Sequence, residues 1–298
     1  MSAAATRPPL VVEVVTLFPE LIHGNLRWGV LGRATERGLL TVGTEDPRSH
    51  ATDVHRTVDD RPYGGGPGML LAVEPLATAI GAARARVPVG SPVIYLSAQG
   101  RPYCQADAVR LAASAGFVLL AGRYEGVDER VLEACVDEEL SIGDYVLSGG
   151  ELPACVVIDA CARLLPGALL NERSAEEESF GSGLLDWPHY TRPEEWQGLR
   201  VPDVLRGGNH AEIARWRRMQ ALGRTAERRP DLWARRTPDD LDARLHEEYR
   251  AGRAATQDRS AGARAQAPAQ RTDGGAPDRA PMTDAETEDS HEDRKAHV

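Results

Sequence analysis

The chain holds 298 residues, 42% hydrophobic and 27% charged, with a formal net charge of −10, which fits a globular protein of about two domains. No stretch reaches the roughly 18 to 20 apolar residues that cross a membrane, and Met1–Pro9 lacks the apolar core of a secretory signal, so a cytoplasmic protein is expected. Four cysteines (Cys104, Cys135, Cys155, Cys161) show neither C-x-x-C pairing nor a cysteine–histidine spacing typical of zinc; buried, inert thiols are expected, and no metal site.

Residues 1–9 read as a flexible start. Leu10–Thr16 is an apolar run, hence a buried strand, and Phe18-Pro-Glu opens a helix because the fixed φ of proline suits a first turn. Leu39–Thr44 reads as a strand and Val73–Val87 as an alanine-rich helix. Then come strand Pro92–Leu96, helix Gln105–Ala115, strand Gly116–Ala121, helix Asp128–Cys135, short strand Glu139–Ile142 and long apolar helix Glu151–Leu165. Strands alternating with helices of this length predict an α/β domain over residues 10–169, with a mostly parallel sheet covered on both faces.

After Pro166 the pattern changes. Asn171–Asp186 is rich in Glu, Ser and Gly with little periodicity, so residues 170–186 are expected to form a flexible connector. Residues 187–250 show helical segments at Ala211–Leu222 and Asp239–Arg250 and no convincing strand, which predicts a small α-helical C-terminal domain. Asn209 is placed as its helix N-cap, with Glu212 three residues on. Between Arg200 and Arg236 ten arginines stand against four acids, whereas residues 251–298 hold seven basic and nine acidic residues. Positive charge gathered in one segment is what phosphate neutralisation asks for. Residues 251–298 have almost no large apolar side chain and are expected to be disordered.

Three loops follow predicted strands, where α/β proteins place ligands. They are Tyr95-Leu-Ser-Ala-Gln-Gly100, Ala121-Gly-Arg-Tyr-Glu-Gly126, and Ser141-Ile-Gly-Asp-Tyr-Val-Leu-Ser-Gly-Gly-Glu-Leu-Pro153. The glycines of the third allow close approach of a ligand to backbone; the same composition also suits a tight turn. None matches G-x-G-x-x-G or a Walker motif. Backbone N–H and C=O groups from such loops can instead read the edge of an adenine.

With Arg56-Thr-Val-Asp-Asp-Arg-Pro-Tyr-Gly-Gly-Gly-Pro-Gly-Met69, these loops resemble in order and spacing the bacterial tRNA (guanine-N1)-methyltransferases of the SPOUT class. The similarity runs from about Leu10 to Leu232. It implies a SPOUT-type parallel sheet with a trefoil knot, a rare exception to the unknotted rule. It also implies a homodimer with its active site at the subunit interface, S-adenosyl-L-methionine as cofactor, and tRNA as substrate, methylated on N1 of guanine 37 just 3′ of the anticodon. By the same resemblance Gly122 and the backbone of Ile142, Gly143, Asp144, Tyr145, Val146 and Leu147 would hold the cofactor. Tyr95, Leu96, Ser97, Gly149, Gly150 and Pro153 would complete its pocket.

Guanine N1 carries a proton, so its methylation needs a carboxylate base and a cation or donor for the charge that builds on O6. Glu178 and Arg163 are the candidates. The other reading of Arg163 is an arginine snorkelling at a helix end, and that of Glu178 is a solvated acidic run, Glu176–Glu178. Glu178 stands where the family motif usually has aspartate, so its carboxylate reaches roughly 1.5 Å further. Glu125 is placed against the Watson–Crick edge of the target guanine, or else as a partner of Arg123 or Arg130. The Gly64–Gly68 loop would lie near the extruded base. Arg215, Arg217 and Arg218 are placed against tRNA phosphates, and Trp216 either in the core or stacked on a base. Two other readings stand beside this one: a catalytically silent tRNA-binding SPOUT protein, and a ribose 2′-O-methyltransferase.

Overall fold

The computed structural model describes residues 7–169 and 178–265. Expectations placed on residues 1–6, on connector residues 170–177 with Glu176 and Glu177, and on residues 266–298 lie outside the described residues. The chain divides into two compact units, Met1–Tyr249 and Arg250–Val298.

The first unit runs through β1 (Leu10–Val15), α1 (Pro19–Asn25), α2 (Gly29–Glu36), β2 (Leu40–Glu45), the short pair β3 (Asp59–Asp60) and β4 (Leu70–Leu71), and α3 (Val73–Arg84). It continues with β5 (Val93–Pro102), α4 (Gln105–Ala113), β6 (Gly116–Ala121), α5 (Glu129–Cys135), β7 (Glu138–Ser141) and α6 (Glu151–Ala162). Five strands form one sheet in the order β2-β1-β6-β5-β7, every pairing parallel. This is the α/β architecture with a parallel sheet that the alternation of apolar runs predicts.

Both faces of that sheet are covered, which is why its strands read as unbroken apolar runs. Alternate residues of each strand go to opposite faces. Leu10, Val12, Val14, Ile94, Leu96, Phe117 and Leu119 join one core with α1, α2, α4 and α6. Val15, Val93, Tyr95, Val118 and Leu120 join the other with α3 and α5. Each large apolar side chain so buried contributes about 1.5–3 kcal/mol relative to exposure. One strand residue breaks the pattern: Glu13 is buried, and Arg86 donates a 2.8 Å hydrogen bond to its Oε2. Its side chain fits because Gly43, opposite on β2, has no Cβ; one there would meet Glu13 Oε1.

β5 runs further than its apolar stretch predicts and meets β7 twice. Leu96 and Arg101 both pair with Leu140, and residues 97–100 loop out between them. The return is tight enough that a Cβ on Gly100 would stand 2.5 Å from the Leu140 nitrogen. Tyr103 N then donates to Ser141 O at 2.8 Å. The carboxyl ends of β5, β6 and β7 are therefore drawn together on one edge.

Beyond the connector, β8 (Glu195–Trp196) and β9 (Leu199–Arg200) form a hairpin, followed by α7 (His210–Arg228), α8 (Pro230–Trp233) and α9 (Asp240–Ala265). The sequence shows no strand here because two residues per strand cannot display a period. Its turn is legible in Gln197-Gly198, both at positive φ, as two-residue hairpin loops require. Asn209 caps α7, its Oδ1 accepting from Ala211 N at 3.2 Å and Glu212 N at 3.4 Å. Leu184, Ala221, Leu222 and Leu245 form a small core there. Two expectations are corrected. α9 continues to Ala265, past the boundary read at Arg250, because Ala and Arg are strong helix formers even without an apolar face. Of the four cysteines only Cys161 is buried; Cys104 is exposed, held at the start of α4 by its hydrogen bond to Asp107.

Candidate functional site

The irregular middle of β5 and the loops after β6 and β7 line a cleft of about 190 Å³. Glycine makes their approach possible. Gly150 N donates to Gly122 O at 2.9 Å, tying the second loop to the third. A Cβ on Gly150 would stand 2.6 Å from Ala121 Cα, and one on Gly122 2.9 Å from the Tyr95 ring. Within the third loop Ser141 Oγ and Gly143 bond reciprocally, and Tyr145 folds back so that its hydroxyl donates to Ile142 O at 3.3 Å. The Tyr95 phenol has its pKa raised, first by burial and then by the charge of Glu139, so it stays a neutral hydroxyl.

A buried carboxylate fixes these loops in place. Glu151, the first residue of α6, is 1% exposed. Its Oε1 accepts from Thr16 Oγ1 at 2.8 Å and its Oε2 from Arg123 Nε at 2.9 Å. Arg123 Nη1 also donates to Ser148 O at 3.1 Å, and its guanidinium lies 4.3 Å from the centre of the Phe18 ring. One anion thus joins β1, the β6 loop and the β7 loop, at a helix N-terminus where negative charge is favoured.

Glu125 also lines the cleft. Its backbone N–H donates to Met69 O at 2.9 Å, and its side chain lies over Gly68, where a Cβ would come within 2.3 Å of Glu125 Cγ. Neither Arg123 nor Arg130 pairs with it: Arg123 is taken by Glu151 and Arg130 by Asp128. Among the described residues no cation pairs with the Glu125 carboxylate, which lines the cleft against Gly68.

Arg163 and Glu178 are brought together, 15 positions apart in sequence. Arg163, the C-cap of α6, donates through Nη2 to Glu178 Oε1 at 2.6 Å and Oε2 at 2.5 Å. The pair lines a second cavity, of about 530 Å³, with Asn25, Gln105, Cys155 and Asp159. This cavity is not the glycine-loop cleft. Pro153, which lines the cleft, and Arg163 stand near opposite ends of a twelve-residue helix, about 18 Å long.

Twelve of the thirteen residues expected around a cofactor line the cleft: Tyr95, Leu96, Ser97, Gly122, Ile142, Gly143, Tyr145, Val146, Leu147, Gly149, Gly150 and Pro153. Asp144 does not. Among the arginines expected at phosphates, Arg215 is paired with Glu248 and Arg218 with Asp242, while Arg217 lies 4.9 Å over the Trp187 ring. Trp216 is half-buried and tilted against Tyr190. Sequence reasoning missed Thr16, Arg123 and Glu151 as a unit. The available signal was an acid directly after Gly149-Gly150, at the start of a helix whose only other charged residue is Asp159.

Residues 10–235 match the family described as tRNA (guanine-1)-methyltransferase TrmD. The chain is 57% identical over 240 residues to a protein of Pseudomonas entomophila (strain L48) named tRNA (guanine-N(1)-)-methyltransferase, spanning 80% of this chain and 96% of that one. A protein of the same name from Halorhodospira halophila (strain DSM 244 / SL1) is 58% identical over 238 residues, 80% of this chain and 90% of its own. Another, from Burkholderia mallei (strain SAVP1), is 53% identical over 249 residues, 82% and 94% respectively.

Proposed function

The chain belongs to the tRNA (guanine-1)-methyltransferase family, and from that premise we propose that it methylates N1 of guanine 37 in tRNA, in the cytoplasm, with S-adenosyl-L-methionine as methyl donor. The glycine-loop cleft fits the donor. Its wall comes from three glycine-bearing segments, with Leu96, Ile142 and Pro153 among the lining residues. It thus offers N–H and C=O groups for an adenine edge and apolar side chains for its faces. When bound, S-adenosyl-L-methionine supplies an electrophilic methyl group.

The Arg163–Glu178 pair is the observation that carries the reaction. N1–H and O6 are neighbours on one edge of guanine, a donor beside an acceptor. A guanidinium and a carboxylate held side by side are the complement of that edge. Glu178 then accepts the N1 proton, and Arg163 donates to O6 as negative charge gathers there. Glu125, which has no cationic partner among the described residues, accepts from an N–H of the same base.

Two features support a homodimer with composite sites. Within one chain the glycine-loop cleft and the Arg163–Glu178 pair stand at opposite ends of α6. Along that helix Leu152 and Val156 are about half exposed, beside Leu21 of α1. A two-fold interface that packs α6 against its copy in antiparallel fashion covers this apolar stripe and sets each cleft beside the other chain's Arg163 and Glu178.

Purified protein given labelled S-adenosyl-L-methionine and tRNA with guanine at this place should yield N1-methylguanine. No label, or label on ribose, overturns the assignment. Glu178→Ala and Arg163→Ala should each slow transfer by about 10²- to 10⁴-fold while donor binding persists.

A further inference from the structure

A guanidinium already neutralised by a carboxylate has little charge left to lend a phosphate. Around α7 most arginines are so engaged. Arg206 meets Glu194 and Asp203, Arg215 meets Glu248, Arg218 and Arg236 share Asp242, and Arg229 meets Asp231. Arg217, Arg224 and Arg228 form no ion pair with any described residue.

These three are not scattered. Each residue of a helix turns by about 100°, so positions 217, 224 and 228 fall within about 20° of one line along α7. The line is about 16 Å long. At its N-terminal end Arg217 lies over the Trp187 ring, and its Nε is enclosed without a hydrogen-bond partner. Trp187 and Arg217 wall a cavity of about 230 Å³ that Glu178 also lines, and Glu178 faces the Arg163 cavity as well. The stripe of unneutralised charge therefore leads to the carboxylate assigned as base.

We propose that Arg217, Arg224 and Arg228 hold the phosphate backbone of the tRNA strand that delivers guanine to Glu178, with Trp187 bracing Arg217. This deepens the methyltransferase reading and rests on it. It also moves the phosphate contacts away from Arg215 and Arg218, whose charge Glu248 and Asp242 consume. Charge density along the sequence does not separate the two sets; their partners in space do.

The full-length protein carrying Arg224→Gln with Arg228→Gln should bind tRNA about tenfold more weakly near 0.1 M salt, and the slope of log affinity against log salt should shrink by about 1.4 to 1.8. Donor affinity and kcat at saturating tRNA should hold. Arg229→Gln, whose charge Asp231 already neutralises, should keep the wild-type slope. An unchanged slope in the double variant, or an equal loss in Arg229→Gln, overturns the proposal. The nucleoside formed by the wild-type protein, measured on the same tRNA, tests the activity separately. Binding slopes therefore decide the stripe, and the methylated atom decides the reaction.

Discussion

Glu151 has both oxygens engaged in a nearly sealed position, one with Thr16 and one with Arg123. Replacing it by glutamine keeps an acceptor for Thr16 but removes the charge that holds Arg123. We expect Glu151→Gln to cost about 2 kcal/mol in urea unfolding and to weaken donor binding, because the β6 and β7 loops lose their common anchor. A variant with wild-type stability and donor affinity would remove Glu151 from this role. At position 178 the shorter acid of Glu178→Asp should draw the carboxylate back by roughly 1.5 Å and slow transfer by about 100-fold. Faster transfer in the aspartate variant would show that glutamate is the misplaced residue here. The candidate acid and the arginine were legible in sequence through their motif. Their direct contact was not, since 15 residues of chain separate them and no local period links the two.

Among the elements, the glycine loops and the helix caps set the limits. Gly150 sits so close to Ala121 that alanine cannot enter without moving β6 or α6, so Gly150→Ala should cost about 1–3 kcal/mol and lower the thermal midpoint with loss of donor binding. The start of α4 and the contact of α7 with α9 depend on acids held by arginine, Asp107 and Asp242. The Arg101 guanidinium hydrogen-bonds Asp107 and keeps its carboxyl well below the usual range, and Arg218 lowers Asp242 in the same way. Both folded pKa values lie below the ordinary value of 3.8. The stability these acids contribute is therefore present above about pH 4 and lost as pH falls through their folded values. The thermal midpoint should drop below about pH 4, and Asp107→Asn should flatten that drop. A pH profile identical to wild type would exclude Asp107 as a contributor. The strands of the sheet were legible because burial on both faces writes them as continuous apolar runs. β8 and β9 were not, because two residues cannot show a period.

At the scale of the whole molecule, the separation of the cleft from the Arg163–Glu178 pair makes a sharp prediction. A Glu178→Ala chain and a Gly150→Ala chain, each inactive alone, should recover methylation when mixed and allowed to exchange subunits, since one of the two composite sites in a mixed dimer is intact. No recovery, with mixed dimers demonstrated, would place each complete site within one chain. The order of the five sheet strands, the three ligand-facing segments at Tyr95, Gly122 and Ser141, and the concentration of arginine in residues 200–236 were all determined by the sequence itself. Local hydrophobic period, glycine placement and charge are written residue by residue, so they can be read that way. Which carboxylate neutralises which arginine, which loop Glu151 anchors, and how far Arg163 stands from Pro153 depend on contacts between segments distant in the chain. Those distances come into being only when the sheet closes its core, and they were decided by the tertiary structure alone.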